Sequence, residues 1–181
     1  MSQSSLKQTL NNLETLIPND ELIKIASQLV SIPSFTEQET PLAKYIKTFC
    51  EASGFKTSFQ EVEPGRLQVI AHLGPEKGKP ALLLNGHLDI DPLGRDQTAN
   101  PFKVKQVGDK LYGAGIHNMK SGLAAILGAA LALKRSKLPI KKALLLEFVV
   151  GELQGGKGTL FTLHSGLTAE AAVIPEPYSV K

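Results

Sequence analysis

Apolar residues recur at helical spacing twice near the start of the chain. Leu6, Leu10, Leu13 and Ile17 form one stripe, Pro18-Asn19-Asp20 interrupts it, and Leu22, Ile25, Ala26 and Leu29 form a second. Beyond the Ile32-Pro33-Ser34 loop, Thr36 with Glu39 has the spacing of a capping box. It predicts a third helix that buries Leu42, Ile46, Phe49 and Cys50 and stops at Gly54. The pattern then shortens to that of strands, 55–62 and 67–73, around a Pro64-Gly65 turn. Residues 75–80 form a further turn, followed by a short, wholly apolar strand at 81–84.

Residues 104–112 read as a hairpin around Gly108-Asp109. The clearest helix is 119–134, with Met119, Leu123, Ile126, Leu127, Ala130 and Leu131 on one core-packing face. A buried strand at 143–150, interrupted only by Glu147, precedes a short helix at 156–163 and a last strand at 171–174. Apolar strands alternating with helices predict an α/β fold: three layers, α/β/α, around a mostly parallel twisted sheet covered on both faces. Such sheets place their chemistry at the carboxyl ends of the strands, here near residues 84, 150 and 174.

Composition narrows the function classes. The chain has 20 Lys+Arg against 17 Asp+Glu, and this net charge of +3 is too small and scattered for a nucleic-acid partner. Lys134-Arg135 and Lys141-Lys142 flank a turn and read as solvated. The single cysteine, Cys50, excludes an internal disulfide framework and a cysteine-based zinc finger. The longest apolar run, 123–133, ends at Lys134 and is too short for a bilayer, so no membrane partner is expected. The opening Ser, Gln and Asn residues lack the pattern of an export signal, which predicts a cytoplasmic protein.

Each strand end carries a candidate. The first gives Asn85-Gly86-His87-Leu88-Asp89, in which His87 can bind a metal and Asp89 can fix its ring. The second gives Gly151-Glu152-Leu153-Gln154-Gly155-Gly156, an acid followed by a glycine loop. The third gives Pro175-Glu176-Pro177. Taken singly, each reads as turn chemistry rather than as a site. Converging on one sheet edge, an imidazole and two carboxylates would suit a metal of hard to borderline character.

The order and spacing of these stretches resemble the zinc-dependent amidohydrolase and exopeptidase family of acetylornithine deacetylase, succinyl-diaminopimelate desuccinylase, aminoacylase and glutamate carboxypeptidase. The likeness runs from near Leu22 to Pro177. It includes Val30-Ser31-Ile32-Pro33-Ser34, Leu84-Asn85-Gly86-His87-Leu88-Asp89, Pro101-Phe102, Leu111-Tyr112-Gly113-Ala114-Gly115 and Asn118-Met119-Lys120-Ser121-Gly122, then the elements at Glu152 and Glu176. The resemblance implies two zinc ions sharing a carboxylate, with a water that attacks an amide carbonyl. It assigns His87 and Glu176 to the first zinc, Asp89 to orienting His87, and Glu152 to general-base catalysis.

Three family positions differ. The bridging aspartate falls on Asn118, whose amide oxygen is neutral, and the second-zinc glutamate falls on Leu153, which cannot bind a metal. The last histidine ligand would lie beyond Lys181. The resemblance therefore implies one ion at most, zinc or cobalt or manganese in its place, with Asn118 or the adjacent His117 as third ligand. Ala114 stands where the family often has arginine; His72 and His164 match no family site and read as structural or surface residues. The expected organisation is an amino-terminal helix at 1–19 and, at 20–181, an amino-terminal portion of the catalytic domain. This zinc-exopeptidase-like fold would be incomplete, lacking the dimerisation and lid domain and the remaining catalytic segment. The implied substrate is an N-acyl amino acid or small peptide, with a homodimer formed only through the missing domain. The alternative is a non-catalytic relative that keeps the fold as a binding module.

Overall fold

Local chemistry decides where the helices start. A computed structural model describes residues 3–94 and 100–177, with side chains from Lys7 onward. Pro18, extended at φ −60° and ψ 149°, separates α1 (Gln3–Thr15) from α2 (Asn19–Val30), as the break in the apolar stripe predicts. The α1 stripe is only partly used. Leu10 is exposed, Leu13 half-buried and Ile17 buried, while the Leu6 side chain lies outside the described residues. Helix α3 is Thr40–Ala52, so Thr36 does not cap it. The Glu39 carboxylate turns inward to Arg66, and Pro41 in the first turn marks the start instead. Leu42, Ile46 and Cys50 are fully buried, and burial pushes the Cys50 thiol up to about 12. Phe49 is half-buried.

The strands are β1 (Lys56–Glu63), β2 (Arg66–Leu73), β3 (Leu82–His87), β4 (Lys105–Val107) and β5 (Lys110–Tyr112). After a wide turn at Ile116–Lys120 come α4 (Ser121–Arg135), β6 (Leu144–Val149), α5 (Lys157–His164) and β7 (Ala171–Val173). The main sheet has five strands in the order β1-β2-β6-β3-β7, and β4-β5 is a separate hairpin. Strands β6, β3 and β7 are parallel, while β2 is antiparallel to both β6 and β1. Four of the five therefore point the same way and β2 alone opposes them, a mostly parallel sheet with one reversal. Strand β3 runs three residues past the predicted end at 84. Asn85, Gly86 and His87 pair with Glu147, Phe148 and Val149, which makes His87 the last residue of the strand.

The two sheet faces differ in chemistry. Val69, Ala71, Leu84, Leu144, Leu146 and Phe148 share one face and join α2, α3 and α4 in a single apolar core. The run Ile116–Arg135 is long and apolar enough to cross a membrane, but α4 is the central helix of this core, with Leu123, Ile126, Leu127 and Ala130 buried. The other face carries α5 and a polar network. Gln68 Nε2 donates to Thr162 Oγ1 at 2.8 Å and to Gly158 O at 3.2 Å, and Asn85 Nδ2 donates to Glu147 Oε2 at 2.6 Å.

Glu147 thus does not interrupt the buried strand. It is 1% exposed, its Oε1 has no hydrogen-bond partner, and burial raises its carboxyl above the ordinary value. The folded state consequently holds this proton more tightly than the unfolded chain, and stability falls as pH rises from the ordinary carboxylate range. Glu147→Gln keeps an acceptor for Asn85 without the charge. Urea unfolding at pH 5 and pH 8 should show a flatter pH dependence for the variant, which has no buried charge to accommodate at pH 8.

Candidate functional site

The last residue of β3 is fixed from three sides. His87 is 2% exposed; its backbone N–H donates to Met119 Sδ at 3.1 Å, and its Nδ1 lies 2.8 Å from the Asp89 backbone carbonyl. A carbonyl only accepts, so Nδ1 carries a proton, and in the neutral ring Nε2 presents its lone pair. That Nε2 is buried with no hydrogen-bond partner, 3.4 Å from Glu176 Oε2 and 3.9 Å from Glu152 Oε2. Burial pulls the imidazole down, but Asp89 and the carboxylates of Glu176 and Glu152 outweigh it and hold the pKa above its ordinary value.

Asp89 does more than face the ring. Its Oδ1 is 3.5 Å from His87 Nδ1, while its two oxygens accept the backbone N–H of Glu152 at 3.1 Å and of Leu153 at 3.0 Å. Burial pushes this carboxyl up, but the His87 contact and the two N–H donors win and hold it below its ordinary value. The turn it grips, Glu152–Gln154, begins after Gly151 at φ 66°. A Cβ at Gly151 would stand 3.0 Å from Arg66 Nη2, so glycine is needed here for conformation and for space.

Arg66 braces the same turn from the other side. It is 4% exposed, forks onto Glu39 through Nη2 at 2.5 Å and Nε at 3.1 Å, and donates from Nη1 to Gln154 Oε1 and Glu63 Oε2, each at 2.7 Å. The Glu152 side chain is half-exposed and Leu153 is 38% exposed. The clamp acts on the backbone, and the carboxylate above it stands outside the clamp.

Glu176 arrives because the first turn of α4 holds a glycine. A Cβ on Gly122 would collide with the Pro175 carbonyl, so the close approach of that segment requires its absence. Asn118 lies in the wide turn before α4, where the Asn118–Met119 peptide is cis. Its Oδ1 is buried with no partner, and its Nδ2 donates to Asp91 Oδ2 at 3.4 Å. His117 is exposed. Among the described residues no three His, Cys, Asp or Glu side chains form a metal-holding cluster, so His117 is not brought to His87 and Glu176. Ala114 is buried, His72 is half-buried in β2, and His164 is exposed at the end of α5.

His87 Nε2 and Asn118 Oδ1 are buried and unpartnered, Glu176 Oε2 lies 3.4 Å from the first, and all three are donor types that suit a divalent cation. Sequence reasoning passed over Arg66, whose partner Glu39 it read as a cap, and Asp91, the second acid of the His-Leu-Asp-Ile-Asp run. It also passed over Lys120, which is fully buried, donates to Leu29 O at 2.9 Å and Ile32 O at 2.7 Å, and is pulled by burial to about 7.

The family described as Peptidase family M20/M25/M40 matches residues 83–179, more than half of the chain, and the match contains His87, Asp89, Asn118, Glu152 and Glu176. The chain belongs to peptidase family M20/M25/M40. Similar proteins include N-formyl-4-amino-5-aminomethyl-2-methylpyrimidine deformylase of Halalkalibacterium halodurans, 29% identical over 164 residues that cover 87% of this chain and 38% of the relative. A probable succinyl-diaminopimelate desuccinylase of Staphylococcus aureus is 27% identical over 167 residues, 90% of this chain and 40% of the relative. A tripeptidase structure from Staphylococcus aureus aligns at a TM-score of 0.71 and 22% identity, covering 91% of this chain and 45% of that one. The M20 family metallo-carboxypeptidase Sso-CP2 of Sulfolobus solfataricus aligns at 0.68 and 20% identity, with 88% and 38% covered. These structures share the M20/M25/M40 fold with the chain, which spans about two fifths of the curated relatives it matches.

The buried Arg66–Glu39 pair makes a direct prediction for this M20/M25/M40 chain. Arg66→Met strands Glu39 in the interior and should cost about 3–5 kcal/mol in urea unfolding. Adding Glu39→Leu should recover most of that loss. Full recovery of stability would still leave faster amide exchange at Glu152 and Leu153, because Gln154 has lost its anchor.

Proposed function

We propose that this chain forms part of a metal-assisted hydrolase of amide bonds, acting on N-acyl amino acids or small peptides. The observation that carries this reading is His87 Nε2, a buried ring nitrogen with no hydrogen-bond partner that faces two carboxylates. His87, Glu176 and Asn118 through Oδ1 would hold one ion, zinc or cobalt or manganese in its place. When bound, such an ion supplies Lewis acidity toward the amide carbonyl and lowers the pKa of water.

The remaining work belongs to the chain. Asp89 holds His87 in the tautomer that offers Nε2, and its carboxylate fixes the backbone under Glu152. Glu152, half-exposed and 3.9 Å from that nitrogen, takes the proton from the attacking water. It returns the proton to the departing nitrogen as the carbon–nitrogen bond breaks, so the carboxylate is restored. A cavity of about 390 Å³ is lined by Phe35, Thr36, Ile90, Pro92 and Leu93, the last three on the segment that follows Asp89, and would accept an apolar part of the substrate.

The deformylase, desuccinylase and tripeptidase among the similar proteins support a small amide substrate. Their greater length supports reading 20–181 as an amino-terminal portion of the catalytic domain, behind a helix within 1–19. Dimerisation would then belong to a separate domain. A second reading, a non-catalytic binding relative, is favoured by Leu153, an exposed leucine where the family resemblance places a second-metal carboxylate.

Elemental analysis of protein purified without chelator should give about one zinc per chain, lost in His87→Ala and kept in Glu152→Gln. In a protein carrying the whole catalytic unit, Glu152→Gln should lower kcat by about 10²–10⁴-fold. Zinc retained by His87→Ala, or no uptake by the folded chain from micromolar zinc, would count against the hydrolase and for the binding relative.

A further inference from the structure

The two ends of the Asn118 amide have different surroundings. Nδ2 faces Asp91 Oδ2 at 3.4 Å, whereas Oδ1 is buried without a partner. An amide nitrogen only donates and its oxygen only accepts, so a neighbour that accepts at one end decides which atom the other end presents. An aspartate is such a neighbour. Flipping the amide would set Oδ1 against a carboxylate oxygen, two acceptors facing each other, and would turn Nδ2 into the site.

The free end lies in the turn whose next residue, Met119, contacts His87. Met119 Sδ takes the His87 backbone N–H, which draws the turn holding Asn118 against the end of β3. There, His87 Nε2 is the other unpartnered acceptor, on a side chain 2% exposed. Asp91 itself is exposed, so its carboxylate does not fill the core.

We propose that Asp91 is a positioning residue for the cation site: it locks the Asn118 amide with Oδ1 presented as a ligand, and it restores beside Asn118 the negative charge that an amide lacks. This rests on the one-cation reading above. It also extends it, because a neutral oxygen donor becomes a dependable ligand only when its orientation is fixed from behind.

Co²⁺ titration of the metal-free chain tests this in four proteins: the parent, Asp91→Ala, Asn118→Asp and the double variant. In the parent background Asp91→Ala should weaken Co²⁺ binding about tenfold, the order seen for lost outer partners of metal ligands. Asp91→Asn, which still offers an acceptor oxygen, should restore most of it. With Asn118→Asp, both oxygens of the new carboxylate are equivalent, and Asp91→Ala should leave affinity unchanged or improve it. Equal weakening in both backgrounds, or none in either, would overturn the proposal. If the parent binds no Co²⁺, the one-cation reading fails, and the metal-free chain still decides the role of Asp91. Its Asn118 side-chain NH₂ resonances should move and exchange faster in Asp91→Ala, and unchanged resonances would refute the lock.

Discussion

The Asp89 carboxylate is the constraint on which the site depends. One buried group faces the His87 ring and accepts the N–H groups of Glu152 and Leu153. It therefore joins the end of β3 to the turn after β6. These strands are parallel neighbours, so they deliver their carboxyl ends to one edge, and a side chain two residues past one end can reach the backbone past the other. Ionisation strengthens each of these bonds, and each bond favours ionisation. The acid, the imidazole and the turn consequently stand or fall together.

That clamp sits on a sheet whose faces do different work. The face toward α2, α3 and α4 is apolar and supplies the main burial energy. The face toward α5 holds Gln68, Asn85, Glu147 and Thr162 in hydrogen bonds, with Glu147 Oε1 left over. Such a face contributes little net stability and is sensitive to any missing partner. It is also the face on which His87 lies, two residues along β3 from Asn85. Arg66 and Glu39 extend the polar side to the turn itself, where Gln154 and Gly151 press on the guanidinium.

The legible part of the fold was the part set by periodicity. The helix break at Pro18, the buried stripe from Leu123 to Leu131 and the strands of the sheet follow from apolar spacing, and the site follows from strand ends sharing an edge. What spacing could not reveal is which of two partners a polar group takes. Thr36 and Glu39 have the separation of a cap, but the charge of Arg66, distant in sequence, takes Glu39 at shorter range and greater strength. Glu147 reads as an interruption of the buried strand because a carboxylate is seldom buried, and only the register with Asn85 shows why it is. Asp89 was legible as a partner of His87, yet the 2.8 Å contact to that ring is made by its backbone carbonyl, an atom every residue carries.

The two departures at Asn118 and Leu153 can be weighed by asking what the architecture requires of each position. At Leu153 the clamp uses only the backbone N–H, and the side chain stands partly in solvent. A carboxylate could be exchanged for leucine there without moving Glu152 by way of Asp89. At Asn118 the neighbouring Met119 makes the contact that holds His87, so the turn keeps its place whatever the side chain at 118. Both departures therefore alter donor atoms and spare the supports of His87 and Glu152. In a folded chain, the donor atoms at 118 and 153 and the placement of the Glu152 carboxylate are separable properties. The leucine at 153 is thus no argument that the geometry around Glu152 has relaxed.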